Sequence, residues 1–287
     1  MRFELVFLNT ADPSLGRLDY ASLSQQALME MVIDGIKNKE DICGDVDEPE
    51  DIEEWKGVTI EDGQVVEIGW RVCKLEGSFH FEWLPISVRK FSVGRNQKIT
   101  GTLDCASLPT SMKVLDLEYN AFTGSICLES LPEGMEEIDF TNNKLCGSLK
   151  LESLPDTLRH FCAEWNEFTG SVNLTQLPAS MIYLGLRNNC LSGSVVLTQL
   201  PDSFVGLYLS NNQFSGALDL TRLPSSMCGL WLDNNSFSGT VDLSQLPQGL
   251  TLLNLSVNEL SGEVFISDAL FDIVKVDNTK LSKRHMK

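Results

Sequence analysis

The dipeptide Leu-Pro recurs along most of the sequence at a nearly constant interval. The first interval is 24 residues long and the other six are 23 residues long. A fixed period of roughly 20 to 29 residues is typical of a solenoid, in which every repeat forms one coil of a stacked array. The period therefore predicts one continuous repeat domain. The eight copies are Leu84-Pro85, Leu108-Pro109, Leu131-Pro132, Leu154-Pro155, Leu177-Pro178, Leu200-Pro201, Leu223-Pro224 and Leu246-Pro247.

Each repeat contains the same succession of residue types, which the copy after Pro201 illustrates. Leu207 and Leu209 alternate with outward positions, so this segment is expected to form a short strand with one buried face. Asn212 follows where the chain turns away, and an inward amide there can satisfy backbone groups that the turn leaves unpaired. Gly216 marks a turn that requires a positive φ or a close backbone approach. The structural asparagines of the eight repeats are Asn96, Asn120, Asn143, Asn166, Asn189, Asn212, Asn235 and Asn258.

A second extended segment is expected on the back of the solenoid. After each glycine the alternation of apolar and polar residues returns, as in Val241 and Leu243 on either side of Asp242. The proline at the corner then removes a backbone donor and ends that segment. The extra residue of the 24-residue interval is expected at Gln97 or Lys98, in a loop that can bulge.

The repeat resembles the leucine-rich-repeat family, whose conserved segment is matched by Leu115-x-Leu117-x-x-Asn120-x-Phe122. The run from Asn235 to Val241 resembles the plant-type subclass, although plant-type repeats more often carry Ile-Pro than the Leu-Pro corner found here. The resemblance implies a β-rich solenoid, in the form of an arc or horseshoe of about ten stacked repeats. A parallel concave sheet, an extended back segment and a small helical N-terminal cap belong to this expectation. The family also implies protein interaction in general.

The sequence is predicted to divide into a cap, a solenoid and a tail. Residues 1–61 are expected to form the N-terminal cap, with a helix that starts after Ser22 or Ser24 and runs to about Lys37. An acidic loop follows, and then the first strand of a hairpin around Asp62-Gly63. Residues 62–281 are assigned to the solenoid, as a degenerate repeat (62–84), full repeats (85–269) and a partial repeat (270–281). Residues 282–287 form a basic tail.

The charge balance and the cysteines restrict the function and the location of the chain. The formal net charge is −18, with 40 acidic and 22 basic residues, which disfavours nucleic acid and anionic membranes as partners. We find neither a signal-peptide core nor an apolar run of the roughly 20 residues that cross a bilayer. The eight cysteines show no metal-ligand or disulfide spacing. We therefore expect a cytoplasmic monomer with reduced thiols and with no cofactor or metal.

The two ends of the chain carry opposite charge. Nine of the 15 residues from Glu40 to Glu54 are acidic. We favour a solvated loop for this segment, and the alternative is an electrostatic docking site for a basic partner. Lysines beside the last strand are expected to protect an open sheet edge against further pairing.

The candidate binding face consists of the side chains that alternate with the strand leucines and point out from the concave sheet. Neighbouring rungs lie about 4.8 Å apart, so residues in equivalent positions form columns. Exposed aromatic residues that gather mark binding hot spots, and stacked Asp116 and Asp139 repel each other until a positive charge relieves them. We expect a protein or peptide ligand with an apolar anchor flanked by Lys or Arg. The candidate residues are Trp165, Tyr183, Tyr208, Trp231, Arg187, Asp116, Asp139, Glu118, Glu137 and Glu164.

Other interpretations stay open at this point. For the carboxylates a solvated surface is favoured over a basic partner and over a cation site, and the aromatic residues have the alternative of packing only on one another. A receptor ectodomain fragment and a bacterial-type effector with a ubiquitin-ligase domain are alternative classes. An enzyme is disfavoured: His160 and Cys162 share a strand face, but nothing orients them and no pocket excludes water.

Overall fold

The computed structural model describes residues 23–286, which form a solenoid with two long sheets. The front sheet corresponds to the sheet expected on the concave side. Its first two strands pair antiparallel and each later strand adds in parallel, one per repeat. The eleven strands of the front sheet are Val58–Glu61, Gln64–Gly69, Lys90–Ser92, Val114–Asp116, Glu137–Asp139, His160–Cys162, Tyr183–Gly185, Gly206–Tyr208, Gly229–Trp231, Leu252–Asn254 and Val274–Lys275.

The back sheet supplies the predicted second extended segment, several residues earlier than expected. Most of its strands end at the glycine of the repeat or one residue after it, where the positive φ (86° at Gly216) interrupts the extended conformation, although Glu259–Ile266 continues through Gly262. After the glycine, burial still alternates, but in most repeats the segment joins neither sheet; in the last full repeat, residues 263–266 stay paired with the final back strand. The ten parallel strands are Glu76–Gly77, Lys98–Gly101, Ala121–Ser125, Lys144–Gly147, Glu167–Gly170, Cys190–Gly193, Gln213–Gly216, Ser236–Gly239, Glu259–Ile266 and Lys280–His285.

The two sheets enclose one hydrophobic core that continues from the cap to the last rung. In each full repeat the core receives two apolar residues, one from the front strand and one directly after it, and one large side chain from the back strand, such as Leu207, Leu209 and Phe214. Full burial of such a side chain contributes about 1.5–3 kcal/mol. Because every rung packs only on its neighbours, this repeated burial is what holds the array together.

The predicted asparagines form a ladder at the turn between the sheets. Asn189 is representative: its Nδ2 donates to the carbonyls of Ala163 (2.9 Å) and Leu186 (3.1 Å), and its Oδ1 accepts from the amide of Phe168 (3.0 Å). Each amide side chain therefore joins its own turn to the preceding rung. Seven of the eight asparagines use both ends of the amide in this way: Asn96, Asn143, Asn166, Asn189, Asn212, Asn235 and Asn258.

Asn120 breaks the ladder at the 24-residue interval. Its Nδ2 donates to the carbonyl of Val93 (3.0 Å), but its Oδ1 is buried and accepts no hydrogen bond from the described residues. The preceding turn holds the extra residue, with Gln97 at a φ of 62°, and the amide of Lys98 donates to the carbonyl of Asn96 (2.7 Å). The inserted residue thus displaces the backbone N–H group that would otherwise donate a hydrogen bond to Oδ1 of Asn120.

The N-terminal helix spans Gln25–Val32 and is capped by Ser24, whose side chain accepts from the amide of Ala27 (3.1 Å). Ser22, the other candidate cap, lies outside the described residues together with the rest of positions 1–22. No helix in residues 23–286 is long and apolar enough to cross a membrane.

The helix ends before Lys37 because the chain joins the edge of the back sheet. The amide of Lys37 donates to the carbonyl of Glu76 (2.8 Å), and the amide of Ser78 donates to the carbonyl of Gly35 (3.1 Å). The backbones approach so closely that a Cβ at Gly35 would lie 2.5 Å from the carbonyl oxygen of Ser78. Backbone pairing between the cap and the first rung therefore outweighs continuation of the helix.

The acidic segment is partly folded onto the cap. A short helix, Glu40–Cys43, buries Ile42 and Cys43, and Trp55 is buried with its Nε1 donating to the carbonyl of Glu50 (2.8 Å). Further along, Asp62 and Gly63 both have positive φ and form the tight turn of the hairpin. The charged side chains thus lie on a segment anchored by apolar contacts.

Candidate functional site

The outward side chains of the front sheet form the expected columns. Direct pairing places Asp116 beside Asp139, and Tyr208 beside Trp231. We name two columns by their position on the strand. The first column is Lys90, Val114, Glu137, His160, Tyr183, Gly206, Gly229 and Leu252, and the central column is Ser92, Asp116, Asp139, Cys162, Gly185, Tyr208, Trp231 and Asn254.

Three aromatic side chains form a shelf, which we define as Tyr183, Tyr208 and Trp231. The rings of Tyr208 and Trp231 are stacked, with centroids 4.3 Å apart and planes at 15°. All three residues are partly exposed. The rings rest on glycines: a Cβ at Gly206 would lie 2.7 Å from Cδ1 of Tyr183, and a Cβ at Gly229 would overlap the ring of Trp231.

Trp165 lies apart from the shelf, at the turn that leads from the front sheet to the asparagine ladder. Its φ is 55° and half of the residue is exposed. The equivalent position is asparagine in four repeats, which tolerates this left-handed conformation better than a large aromatic residue. Tyr119 has the same conformation two repeats earlier, with a φ of 50°. Of the four aromatic residues predicted as one cluster, three thus form the shelf, and Trp165 lies apart from them at the turn after the front strand.

Two of the predicted carboxylates are already paired within the chain. Arg71 from the degenerate repeat bridges Asp116 and Glu118, and Arg95 adds a contact of 2.9 Å to Glu118. Arg71 reaches them across Gly94, which has no side chain to intervene. The expected acidic patch is therefore smaller than predicted. Arg71 could have been found in the sequence by extending the column one further repeat towards the N terminus and noting the glycine between.

The remaining carboxylates lie beside the shelf. Glu164 contacts Nε of Arg187 (3.0 Å), and Glu137 lies 3.3 Å from Nδ1 of His160. Burial raises the pKa of Glu164 above its usual range, although Arg187 opposes the rise. Arg187 was predicted as a partner-binding residue, and in the structure it is paired with Glu164 of the same chain.

Asp139 has no basic partner among the described residues, and it accepts a hydrogen bond from the amide of Thr141 (2.8 Å). Burial raises the pKa of Asp139, the hydrogen bonds from Thr141 lower it, and the charges of Glu118 and Asp116 raise it further. A cation close to Asp139 would relieve this unfavourable burial.

Cys162 does not have the environment of a nucleophile. Burial, followed by the charges of Asp139 and Glu164, raises the pKa of its thiol to about 12. A catalytic cysteine needs the opposite shift. No group of three or more His, Cys, Asp or Glu side chains in residues 23–286 is arranged to hold a metal ion.

Two shallow depressions adjoin each other on this face. One of about 420 Å³ is lined by His160, Cys162, Glu164, Tyr183, Gly185 and Tyr208. The other, of about 380 Å³, lies over Arg71, Asp116, Asp139 and the strands between. Together they form an open surface that can accept an extended segment of another chain.

Solved structures share this architecture. PEPR1-AtPEP1 superposes with a TM-score of 0.69 at 20% identity, over 91% of this chain. The LRR ectodomain of the plant membrane receptor kinase GASSHO1/SCHENGEN3 from Arabidopsis thaliana, in complex with CASPARIAN STRIP INTEGRITY FACTOR 2, gives a TM-score of 0.66 at 21% identity, over 90% of this chain. The chain has the leucine-rich-repeat fold. A plant ice-binding protein gives a TM-score of 0.65 at 18% identity, over 90% of this chain and 95% of its own.

The leucine-rich-repeat chain spans 41% of the length of PEPR1-AtPEP1 and 36% of the GASSHO1/SCHENGEN3 ectodomain. No protein-family model and no curated protein matches it. The expectation of a cytoplasmic location is wrong in the light of these structures, because the similar leucine-rich-repeat structures are ectodomains of plant membrane receptors. That expectation rested on the apolar pattern of the opening residues and on the spacing of the cysteines, and neither feature is part of the fold.

Proposed function

We propose that this leucine-rich-repeat domain recognises a peptide or an extended protein segment on its front sheet. The observation that carries the proposal is the shelf of Tyr183, Tyr208 and Trp231 on its glycine floor. Partly exposed Tyr and Trp are the side chains that most often dominate binding energy. The regular strands hold them in place, so little ordering entropy is lost when a ligand binds.

The comparisons support the proposal at the level of the class of protein. The GASSHO1/SCHENGEN3 ectodomain is solved in complex with another factor, CASPARIAN STRIP INTEGRITY FACTOR 2. By analogy the present chain serves as a ligand-recognition segment of a receptor-like protein, facing the outside of the cell, and it carries no catalytic role. Its ligand combines an apolar anchor for the shelf with basic residues for the carboxylates beside it.

Selection from a phage library of random linear peptides tests the proposal. Peptides selected on the wild type are expected to bind the double variant Tyr208→Ala/Trp231→Ala at least roughly tenfold more weakly, because both stacked rings are removed. Phe265→Ala is the matched control, since Phe265 is an exposed aromatic residue of the back sheet. Equal binding to both variants, or no enrichment on the wild type, contradicts the proposal.

A second candidate function, ice binding, is favoured by two rows of hydroxyl residues on the back of the solenoid, one in the back sheet and one mostly just beyond its strands. Exposed or partly exposed hydroxyl residues stand immediately before and after the glycine of successive repeats, and the similar plant ice-binding protein has nearly the same length. An ice-recrystallisation assay distinguishes the two candidates, because Ser171→Lys/Ser194→Lys should abolish ice activity and the shelf variants should not. The two rows are Thr100, Thr123, Thr169, Ser192, Ser215, Ser238 and Ser261, and Thr102, Ser125, Ser148, Ser171, Ser194 and Thr240.

A further inference from the structure

The central column of the front sheet has a gap at Gly185. Its neighbours in the column are Cys162 on one side and Tyr208 on the other, and both are paired with it in direct register. Two rung spacings amount to about 9.6 Å. The column therefore has no side chain of its own between the thiol and the aromatic ring; the side chain of Glu164 lies across the floor of this gap, and Gly185 is one of the residues that line the depression of about 420 Å³.

The walls of the gap combine aromatic and acidic groups. One face of Tyr208 is covered by Trp231, and the ring borders the gap on the side of Gly185. Tyr183 and His160 border the gap along the first column, with ring centroids 5.5 Å apart. The carboxylate of Glu164 lies over the floor, where a Cβ at Gly185 would be 2.8 Å from its Oε1.

The charge around the gap is not balanced by the described residues. Glu164 lies at the gap itself, and Glu137 and Asp139 line the adjoining depression, whereas Arg187 is the one arginine of the described residues in contact with these three carboxylates. The repeat before that of Asp139 shows the contrast, because its Asp116 and Glu118 are paired with Arg71 and Arg95. A cation from outside would provide at the gap the pairing that the chain provides internally at Asp116, three rungs earlier.

We propose that the Gly185 gap is a socket for the guanidinium group of a single arginine in the bound peptide. The inference deepens the proposed function, since the arginine belongs to the ligand of the front sheet. A guanidinium is planar and stacks on an aromatic face, and it presents several N–H groups to carboxylates at once. Lysine is a point charge without a stacking plane, so it satisfies only half of this environment.

The test uses N-acetyl-L-arginine amide as the probe and N-acetyl-L-citrulline amide as its uncharged counterpart of the same shape. The chain has only four tyrosines, so a sample with ¹³C-labelled tyrosine rings gives few signals. The arginine probe is expected to shift the signals of Tyr183 and Tyr208 saturably, and the citrulline probe is not. Equal shifts with both probes overturn the inference.

Two variants locate the binding. Gly185→Val fills the gap, and the three atoms nearest to its added Cβ all belong to the Glu164 side chain; Asp139→Asn removes one charge without changing shape. Each is expected to weaken the arginine probe by roughly tenfold or more. Gly249→Ala is the control, because the nearest atom to its added Cβ is 3.9 Å away. Binding of wild-type strength in both Gly185→Val and Asp139→Asn overturns the inference.

The two proposals fail separately. If selected peptides depend on Tyr208 and Trp231 but the arginine probe does not shift the tyrosine signals, the socket is contradicted and the proposed binding face stands. If the arginine probe binds at Gly185 but no peptide is enriched on the wild-type protein, the socket is supported and the proposed function is contradicted.

Discussion

Four glycines shape the front face through the side chain that they lack. Gly94 lets Arg71 reach Asp116 and Glu118, whereas Gly206 and Gly229 provide the surface on which the rings rest. Gly185 leaves the gap beside Tyr208. At the residue scale, the pattern of small residues decides which large side chains can lie flat on the sheet and which charges can meet.

The thiols provide a prediction at this scale. Burial raises the pKa of Cys162 and of Cys105 to about 12, so both are protonated at neutral pH, whereas Cys190 and Cys228 are exposed. With iodoacetamide at mildly alkaline pH, we expect Cys190 and Cys228 to be alkylated well before the other two, because only the thiolate reacts.

Peptide mass spectrometry over time measures this order, and denatured protein, in which all thiols should react alike, is the control. Alkylation of Cys162 as fast as that of Cys190 would contradict the raised pKa of Cys162, and alkylation faster than that of Cys190 would reopen the couple with His160 that sequence alone left conceivable.

At the scale of elements, the sequence predicted most of what repeats, although it placed the back strands several residues too late, and it missed what depends on a single rung. Front strands, asparagine ladder and glycine turns recur in every repeat, so each copy confirms the others. The end of the first helix depends instead on one backbone contact between Gly35 and Ser78. The position of Arg71 depends on one glycine, Gly94, in the next repeat. Periodicity does not reveal such single contacts, because they occur once.

The asparagine ladder provides the prediction at this scale, through a matched pair of variants. Asn189→Ala removes hydrogen bonds from both ends of the amide, whereas Asn120→Ala removes only those donated by Nδ2. We expect Asn189→Ala to lower the free energy of unfolding by several kcal/mol. Asn120→Ala should cost about 1 kcal/mol less, the net contribution of one buried hydrogen bond.

Denaturant unfolding of the two variants against the wild type measures the difference. Deletion of Gln97 serves as the companion experiment: if the inserted residue causes the orphaned oxygen, the shortened chain should be at least as stable as the wild type. An equal loss of unfolding free energy in the two alanine variants would show that Oδ1 of Asn120 accepts a hydrogen bond in solution.

At the scale of the molecule, charge and fold are distributed differently. Residues 1–84 contain 19 acidic and seven basic residues, whereas the far end is basic, with Lys283 donating to the carbonyls of Phe271 (2.7 Å) and Val274 (3.0 Å) of the last rung. These contacts satisfy backbone acceptors that no further repeat covers in the described chain. The fold is determined by residues that recur in every repeat, whereas the candidate site is formed by residues at which individual repeats differ from one another.

The pH dependence of stability provides the last prediction. Burial raises the pKa of Asp139 and Glu164, so in mild acid the folded chain binds protons that the unfolded chain, with carboxyl pKa values of about 4, does not yet bind. Stability therefore rises as the pH falls from 7 towards 5, and a smaller net negative charge acts in the same direction. Four other carboxylates have lowered pKa values, so their contribution to stability is lost only in stronger acid. They are Glu76, Glu129, Asp219 and Asp242, which accept hydrogen bonds from Lys98, Lys150, Thr221 and Ser244 respectively.

Calorimetry between pH 7 and pH 5 should find the highest melting temperature on the acidic side of neutrality. Asp139→Asn should flatten the rise, since an amide cannot take up the proton, whereas a melting temperature that falls steadily from pH 7 to pH 5 would show that Asp139 and Glu164 are solvated rather than buried.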